Sequence, residues 1–263
     1  MGSIETAVVL AAITAEAIVF ALLMRRKAWR TLPIFCAYVA WTCLSDAASL
    51  AVISRVSLGA YRHYYIVQIT IDSALQFTVL VELMWSVLRP VRDSLPRKTP
   101  VVLAVLVLLA GLVIWPLAGM TVPARFTDQE ALLFHMQETV AILRVVCFLI
   151  MASFSQLLSI GWRDRELQVA TGLGFYSIVS LLVAVVHSHQ SIGDSYTALD
   201  RVGTVSYLGT LAYWIFSFAS QEQKRKEFTP QMQQFLLIMS GGARAGRVAL
   251  SEVHSERTRK RID

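Results

Sequence analysis

Residues 4–30 read IETAVVLAAITAEAIVFALLMRRKAWR, an apolar run closed at once by Arg25, Arg26, Lys27 and Arg30. A bilayer hydrocarbon core of ~30 Å takes ~20 consecutive apolar residues to cross as a helix, and lipid obliges such a span to satisfy its backbone hydrogen bonds internally. The run meets that length, and the basic cluster behind it marks one face of the membrane. Lys and Arg gather in cytoplasmic loops, so this span is expected to run from outside to inside.

The same unit recurs along the chain. Apolar stretches occupy 4–24, 32–54, 64–88, 101–117, 132–160, 167–187 and 202–219, and the basic residues fall in alternate gaps between them. Arg89, Arg92, Arg97 and Lys98 follow the third span, Arg163 and Arg165 follow the fifth, and a basic tail from Lys224 to Arg261 follows the seventh. Arg55, Arg62, Arg125, Arg144 and Arg201 remain for the other side or for the membrane itself. The pattern predicts an all-α, polytopic bundle of seven transmembrane helices, with the N-terminus outside and the C-terminus in the cytoplasm. A bacterial inner (plasma) membrane is the expected location. Composition agrees, with 56% hydrophobic and 16% charged residues and a mean hydropathy of +0.57. The net charge of +6 does not point to nucleic acid, because most of it lies at a membrane face rather than on a folded basic surface.

The first span has Glu5 before it and the Arg cluster after it, the reverse of a cleaved secretory signal, so it is expected to stay as an anchor. Cys36, Cys43 and Cys147 all lie inside spans, where small-residue packing is expected in place of a disulfide. Two regions follow: a seven-helix domain at 1–220 and a basic cytoplasmic tail at 221–263. Within the tail, Phe228, Met232, Phe235, Leu236 and Met239 share helical spacing, as an interfacial amphipathic helix over 228–240 requires. No stretch between the spans is long enough for an output domain, so a signal would pass to a separate membrane or cytoplasmic protein partner.

Chemistry in such a chain rests on polar residues inside spans, which are costly there and face the bundle interior. Span two carries Ser45, Asp46 and Ser49; span three carries Gln68, Asp72, Gln76 and Glu82; span five carries His135, Glu138 and Thr139 on one side; spans six and seven add Tyr176, His187, Asp200 and Tyr207. Span four is almost uniformly apolar until Trp115 and is expected at the lipid-facing periphery. Asp46, Gln68, Asp72, Gln76, His135, Glu138, His187 and Tyr207 are the candidate ligand-binding residues, lining a polar cavity open to the outside. His135, Glu138 and His187 are weak metal candidates. Their spacing matches no established zinc pattern, and neither a metal nor another cofactor is expected. Arg144 lies on the face of span five opposite His135, so it must snorkel, sit at a subunit interface or meet a carboxylate such as Glu16. Glu82, near Arg89, reads as one half of a local ion pair.

Familiar seven-helix chemistries fail on particular residues. Lys27, Lys98, Lys224, Lys226 and Lys260 all lie outside the spans, so no Schiff-base lysine for retinal is present. The third span ends Trp-Ser-Val-Leu-Arg-Pro without the Asp-Arg-Tyr of G-protein-coupled receptors, and the seventh lacks Asn-Pro-x-x-Tyr. An internal repeat of three helices, one linker and three helices, as in certain sugar transporters, is suggested by Trp29-Arg30 with Tyr38 against Trp162-Arg163 with Tyr176, and by Trp85 against Trp214; the Pro-Gln pair of those transporters is missing. Met24-Arg25-Arg26 leading to Leu32-Pro33-Ile34-Phe35, then Tyr64-Tyr65 and Val81-Glu82-Leu83, resemble an uncharacterised group of bacterial seven-helix membrane proteins. That resemblance implies the same fold and carries no activity. Binding or transport of a small polar or cationic ligand ranks above two alternatives, a zinc-dependent intramembrane hydrolase and an accessory subunit of a larger membrane complex.

Overall fold

The computed structural model describes residues 3–52, 58–87, 98–119, 128–153, 164–189 and 194–220. Among these lie seven α-helices: α1 (Ser3–Arg25), α2 (Pro33–Val52), α3 (Leu58–Val87), α4 (Thr99–Ala118), α5 (Asp128–Ser153), α6 (Arg165–His189) and α7 (Asp194–Ala219). No strand occurs among the described residues. The tail, with the amphipathic helix expected at 228–240, lies outside them.

Each of the seven helices contains a stretch long and apolar enough to cross a membrane, which is compatible with a multi-pass membrane protein. Two of them begin well before their apolar stretches, α3 at Leu58 and α7 at Asp194. Backbone hydrogen bonding continues a helix past the hydrocarbon boundary, and residues such as Arg62 and His63 tolerate water there. Large apolar side chains cover the outside of the bundle, Val113 at 77% exposure and Phe216 at 76% among them. Such a surface is unfavourable in water and neutral in lipid.

Neighbour relations form a closed ring. The helices pack in the cycle α1–α2–α3–α5–α6–α7 and back to α1, while α4 packs on α3 and α5 from outside the cycle. The peripheral position expected for α4 is observed, with Val105, Leu109, Leu112 and Val113 all exposed. Exchanging α1–α2–α3 with α5–α6–α7 maps the six contacts around the ring onto themselves, the α1·α7 contact becoming α5·α3, whereas the contacts of α4 and the α3·α6 contact have no counterpart.

The core concentrates at the end of the bundle where α1 finishes and α2 begins. Leu23, Leu32, Phe35, Leu83, Leu167 and Trp214 are each at most 4% exposed. Phe35 meets the Trp214 ring edge-on at 5.2 Å between centroids. Gly172 makes this possible, because a Cβ there would stand 2.2 Å from Trp214 Nε1. The same indole nitrogen donates to the Gln168 carbonyl at 3.3 Å.

Polar locks reinforce this end. Helix α2 starts at Pro33 with amide groups that have no intrahelical acceptor. The Glu82 carboxylate of α3 accepts from two of them, Ile34 N–H and Phe35 N–H, each at 2.8 Å. The carboxylate is thus a cap delivered from a neighbouring helix; Arg89, the ion-pair partner expected for it from sequence, lies outside the described residues. Ser86 donates to Glu166 at 2.7 Å, tying α3 to α6. Arg26 donates to the carbonyl of Ala219 at the end of α7. Lys27 takes the left-handed backbone conformation, with φ of 54°, in the tight reversal between α1 and α2.

Candidate functional site

The interior changes character toward the opposite end, where α3 and α5 begin. Side chains there are polar, and all six helices of the ring contribute them. On α1, Glu16 is fully buried. Its Oε1 accepts a hydrogen bond from the Tyr207 hydroxyl of α7, and Asp46 of α2 is near enough to interact with its carboxyl group. The other oxygen, Oε2, is buried with no hydrogen-bond partner.

A second group lies between α3 and α5. Asp72 Oδ2 accepts from Gln76 at 2.5 Å, and the same Gln76 nitrogen reaches the Tyr38 hydroxyl of α2 at 3.4 Å. Arg144 of α5 is 5% exposed, the buried basic side chain among the described residues. Its guanidinium carbon stands 5.7 Å from the centre of the Tyr176 ring of α6, and its charge acts on Asp72 and Glu138. Nε and Nη1 of Arg144 have no hydrogen-bond partner, and neither does Oε2 of Glu138, which is itself 6% exposed. Tyr176 stands edge-on to Tyr207 at 5.5 Å, so the aromatic rings of α6 and α7 join the two polar groups.

Above the second group is a cavity of about 260 Å³, lined from α3 by Arg62, Tyr65, Ile66 and Ile69 and from α5 by Gln129, Leu133, Phe134 and Gln137. Ile69 precedes Asp72 by one helical turn, and Gln137 precedes Arg144 by two. Residues seven apart share a helix face, which aligns Tyr65 with Asp72 and Gln137 with Arg144. The cavity therefore lies toward the N-terminal ends of α3 and α5, on the helix faces that carry Asp72 and Arg144 further along, and neither of these residues lines it.

Among the residues singled out from sequence, the structure brings Asp72, Gln76 and Glu138 into one neighbourhood and Asp46 and Tyr207 into the adjacent one. Gln68 belongs to the α2–α3 seam: its Oε1 accepts from Ser49 at 3.2 Å, beside Tyr64, whose hydroxyl donates to the Ser45 carbonyl at 2.9 Å. His135 turns to α4 and away from the ring. Its imidazole stacks on Trp115 at 4.6 Å between centroids, and a Cβ on Gly119 would stand 2.4 Å from its Nε2. His187 lies in α6, but its side chain is outside the described residues. No group of three or more His, Cys, Asp or Glu side chains is placed to hold a metal among the described residues. The three cysteines are unpaired.

Two members of the interior were not among the candidates, Glu16 and Arg144. The signal for Glu16 was present, as a lone carboxylate in an apolar span marks the interior face of its helix. Arg144, for which Glu16 is one candidate partner from sequence, lies near Asp72, Glu138 and Tyr176, while Glu16 is engaged by Tyr207 and lies near Asp46. The chain matches no family model, no curated protein and no solved structure. Its membrane-compatible seven-helix architecture is therefore established by its own helices and packing alone.

Proposed function

We propose that this protein is a multi-pass protein of the bacterial inner membrane that takes up or senses a small polar or cationic ligand from the outer side. The N-terminus would be outside and the C-terminus cytoplasmic, because the basic loops and tail gather on one side of the spans. The ligand would enter between α3 and α5 and reach Asp72, Glu138 and Arg144, with Asp46 and Tyr207 beyond them.

The observation that supports this reading is the arrangement of the polar interior between an apolar plug and a cavity. Buried ionisable groups inside a membrane are costly and mark substrate or ion paths. The two adjoining polar groups together hold four carboxyl-bearing residues, Glu16, Asp46, Asp72 and Glu138, and one arginine, a balance that favours positive ligands. The dense packing of Phe35, Leu83, Leu167 and Trp214 closes the other end, as a protein open to one side at a time requires.

Cysteine labelling tests it. With Asp72→Cys in sealed cells, a membrane-impermeant thiol reagent is expected to react, and a cysteine at Leu167 is expected to stay protected. Complete protection of Asp72→Cys in a folded protein, with Gln129→Cys labelled as control, would overturn the reading. Accumulation of labelled substrate in proteoliposomes would then assign transport, and saturable binding without flux would assign a receptor.

A further inference from the structure

Three arginines gather where α1 ends, α6 begins and α7 ends. Arg26 and Arg165 line one small space together with Gln168, Ser217 and Ser220. Its room of about 10 Å³ is near the lower limit for one water-sized group, such as a single phosphate oxygen. Beside it, and sharing Arg26, opens a groove of about 430 Å³ lined by Leu22, Arg25, Arg26 and Ala219. Among the described residues no carboxylate lines either space. Asp164 and Glu166 flank Arg165 in the chain and are both buried, Glu166 accepting from Ser86 of α3.

The chemistry of these linings suits an anion. Guanidinium groups pair with phosphate through forked N–H donors. The bond from Arg26 to the Ala219 carbonyl uses one of the five such donors of the side chain. Gln168, Ser217 and Ser220 add neutral donors, and Gln168 is only 7% exposed. Arg165 and Gln168 lie in the first turn of α6, where the helix end carries a partial positive charge.

Apolar surface continues from the groove into the membrane. Ile18 precedes Leu22 by one turn on α1 and is 43% exposed, and Phe216 precedes Ser220 by one turn on α7 and is 76% exposed. Both helices finish at the arginines, so an amphipathic molecule can place its charge there and its chains along Ile18 and Phe216.

We propose that this junction of α1, α6 and α7 binds the headgroup of an anionic phospholipid, its phosphate on Arg26 and Arg165 and its mouth guarded by Arg25. Basic pockets between membrane helices on the cytoplasmic side take such headgroups. Inorganic phosphate shares the chemistry of the headgroup and makes no use of the apolar faces beneath the arginines. Bound there, the lipid clasps the first helix of the ring to the last at the plugged end, where Arg26 already reaches Ala219. This site goes beyond the outer-ligand reading and does not depend on it.

Melting of the purified full chain in a neutral detergent tests it. The probes are short-chain phosphatidylglycerol, phosphatidylcholine with the same chains, and inorganic phosphate. Phosphatidylglycerol is expected to raise the melting temperature saturably and to bind at least tenfold more tightly than either other probe. Arg26→Gln and Arg165→Gln should each weaken it roughly tenfold or more, the effect of losing one hydrogen bond to a charged group. Arg30→Gln removes a charge close by in the chain that lines neither space and should leave binding nearly unchanged. Where the arginine variants fail to fold, Ser217→Asp, which sets a negative charge in the lining, should abolish the preference for phosphatidylglycerol over phosphatidylcholine. Equal affinity for phosphatidylcholine would overturn headgroup recognition, and equal affinity for inorganic phosphate would replace the lipid by a free anion. An equal loss in Arg30→Gln would reduce the site to general surface charge, and no saturable binding of phosphatidylglycerol would remove it altogether. None of these outcomes bears on labelling of Asp72→Cys, so the two readings fail separately.

Discussion

The Tyr207 hydroxyl donates to Glu16 Oε1 and so joins the last helix of the ring to the first across the polar interior. The bond is placed where water is excluded from Glu16, and Oε2 of the same carboxyl has no partner at all. Removing the donor leaves a buried carboxyl with both oxygens unmet. Tyr207→Phe should therefore destabilise the protein by about 1–3 kcal/mol, the usual penalty for such a group. Glu16→Gln keeps an oxygen acceptor for Tyr207 and removes a charge that faces Asp46, so it should be neutral or stabilising. Melting of the two variants in detergent decides the matter: an equal loss in both would mean that the carboxyl–carboxyl contact costs nothing.

Glu82 gives a second expectation, at the plugged end. Its two oxygens accept separately from Ile34 N–H and Phe35 N–H, so each oxygen serves one otherwise unmatched donor. Glu82→Gln replaces one acceptor by an NH₂ group and should lose roughly 1.5–3 kcal/mol, the range for one hydrogen bond to a charged group. Glu82→Ala should lose more. Amide exchange at Ile34 and Phe35 should quicken in both variants while exchange in α5 stays slow, and uniform quickening would point to global unfolding in place of a lost cap.

Glycines separate packing from helix propensity within one chain. Gly172 has Trp214 against it, with a Cβ–Nε1 separation of 2.2 Å in prospect, whereas Gly203 and Gly209 have nothing within 4 Å. Gly172→Ala should cost about 1–3 kcal/mol through overpacking. Gly203→Ala and Gly209→Ala should be neutral or stabilise by up to about 1 kcal/mol, the usual gain of alanine over glycine inside a helix. Tryptophan emission should shift in the Gly172 variant alone. A stable Gly172→Ala protein with an unchanged spectrum would refute the tight contact.

The helices were legible in the sequence and the orientation of α5 was not. A membrane-length apolar run identifies itself by length, so all seven appear where hydropathy puts them, with α3 and α7 extended at ends where polar residues meet water. Which face of a helix looks inward is harder, because lipid and a packed neighbour accept the same apolar side chains. On α5 the rule that polar residues face the interior favoured the side of His135. That imidazole is accommodated by Trp115 and Gly119 on the outlying α4, and the apolar-looking side carries Arg144 into the ring. Nor does a sequence show which donors a carboxylate serves: Glu82 accepts from the α2 amides of Ile34 and Phe35, which are far from it in the chain and beside it in space.

Arg144 and Asp72 should behave as one electrostatic unit. The two come from different helices, and the Arg144 charge acts on Asp72 across the interior although Nε and Nη1 have no hydrogen-bond partner. Removing the cation by Arg144→Met leaves Asp72 and Glu138 without their compensating charge, and breaking a buried pair from one side typically costs about 3–5 kcal/mol. Asp72→Asn removes a charge and keeps a polar group for Gln76, so it should cost less. In the double variant no uncompensated charge remains at Asp72, and its loss should fall short of the sum of the single losses by about 0.5–3 kcal/mol, the range of coupling between neighbours. The cycle is read from melting of the four proteins in one detergent at one ionic strength. Because Arg144 is buried and Asp72 half-buried, the coupling should persist at high salt, where a surface pair would be screened away. Strict additivity would separate Arg144 from Asp72 and leave the guanidinium a structural residue held by Tyr176.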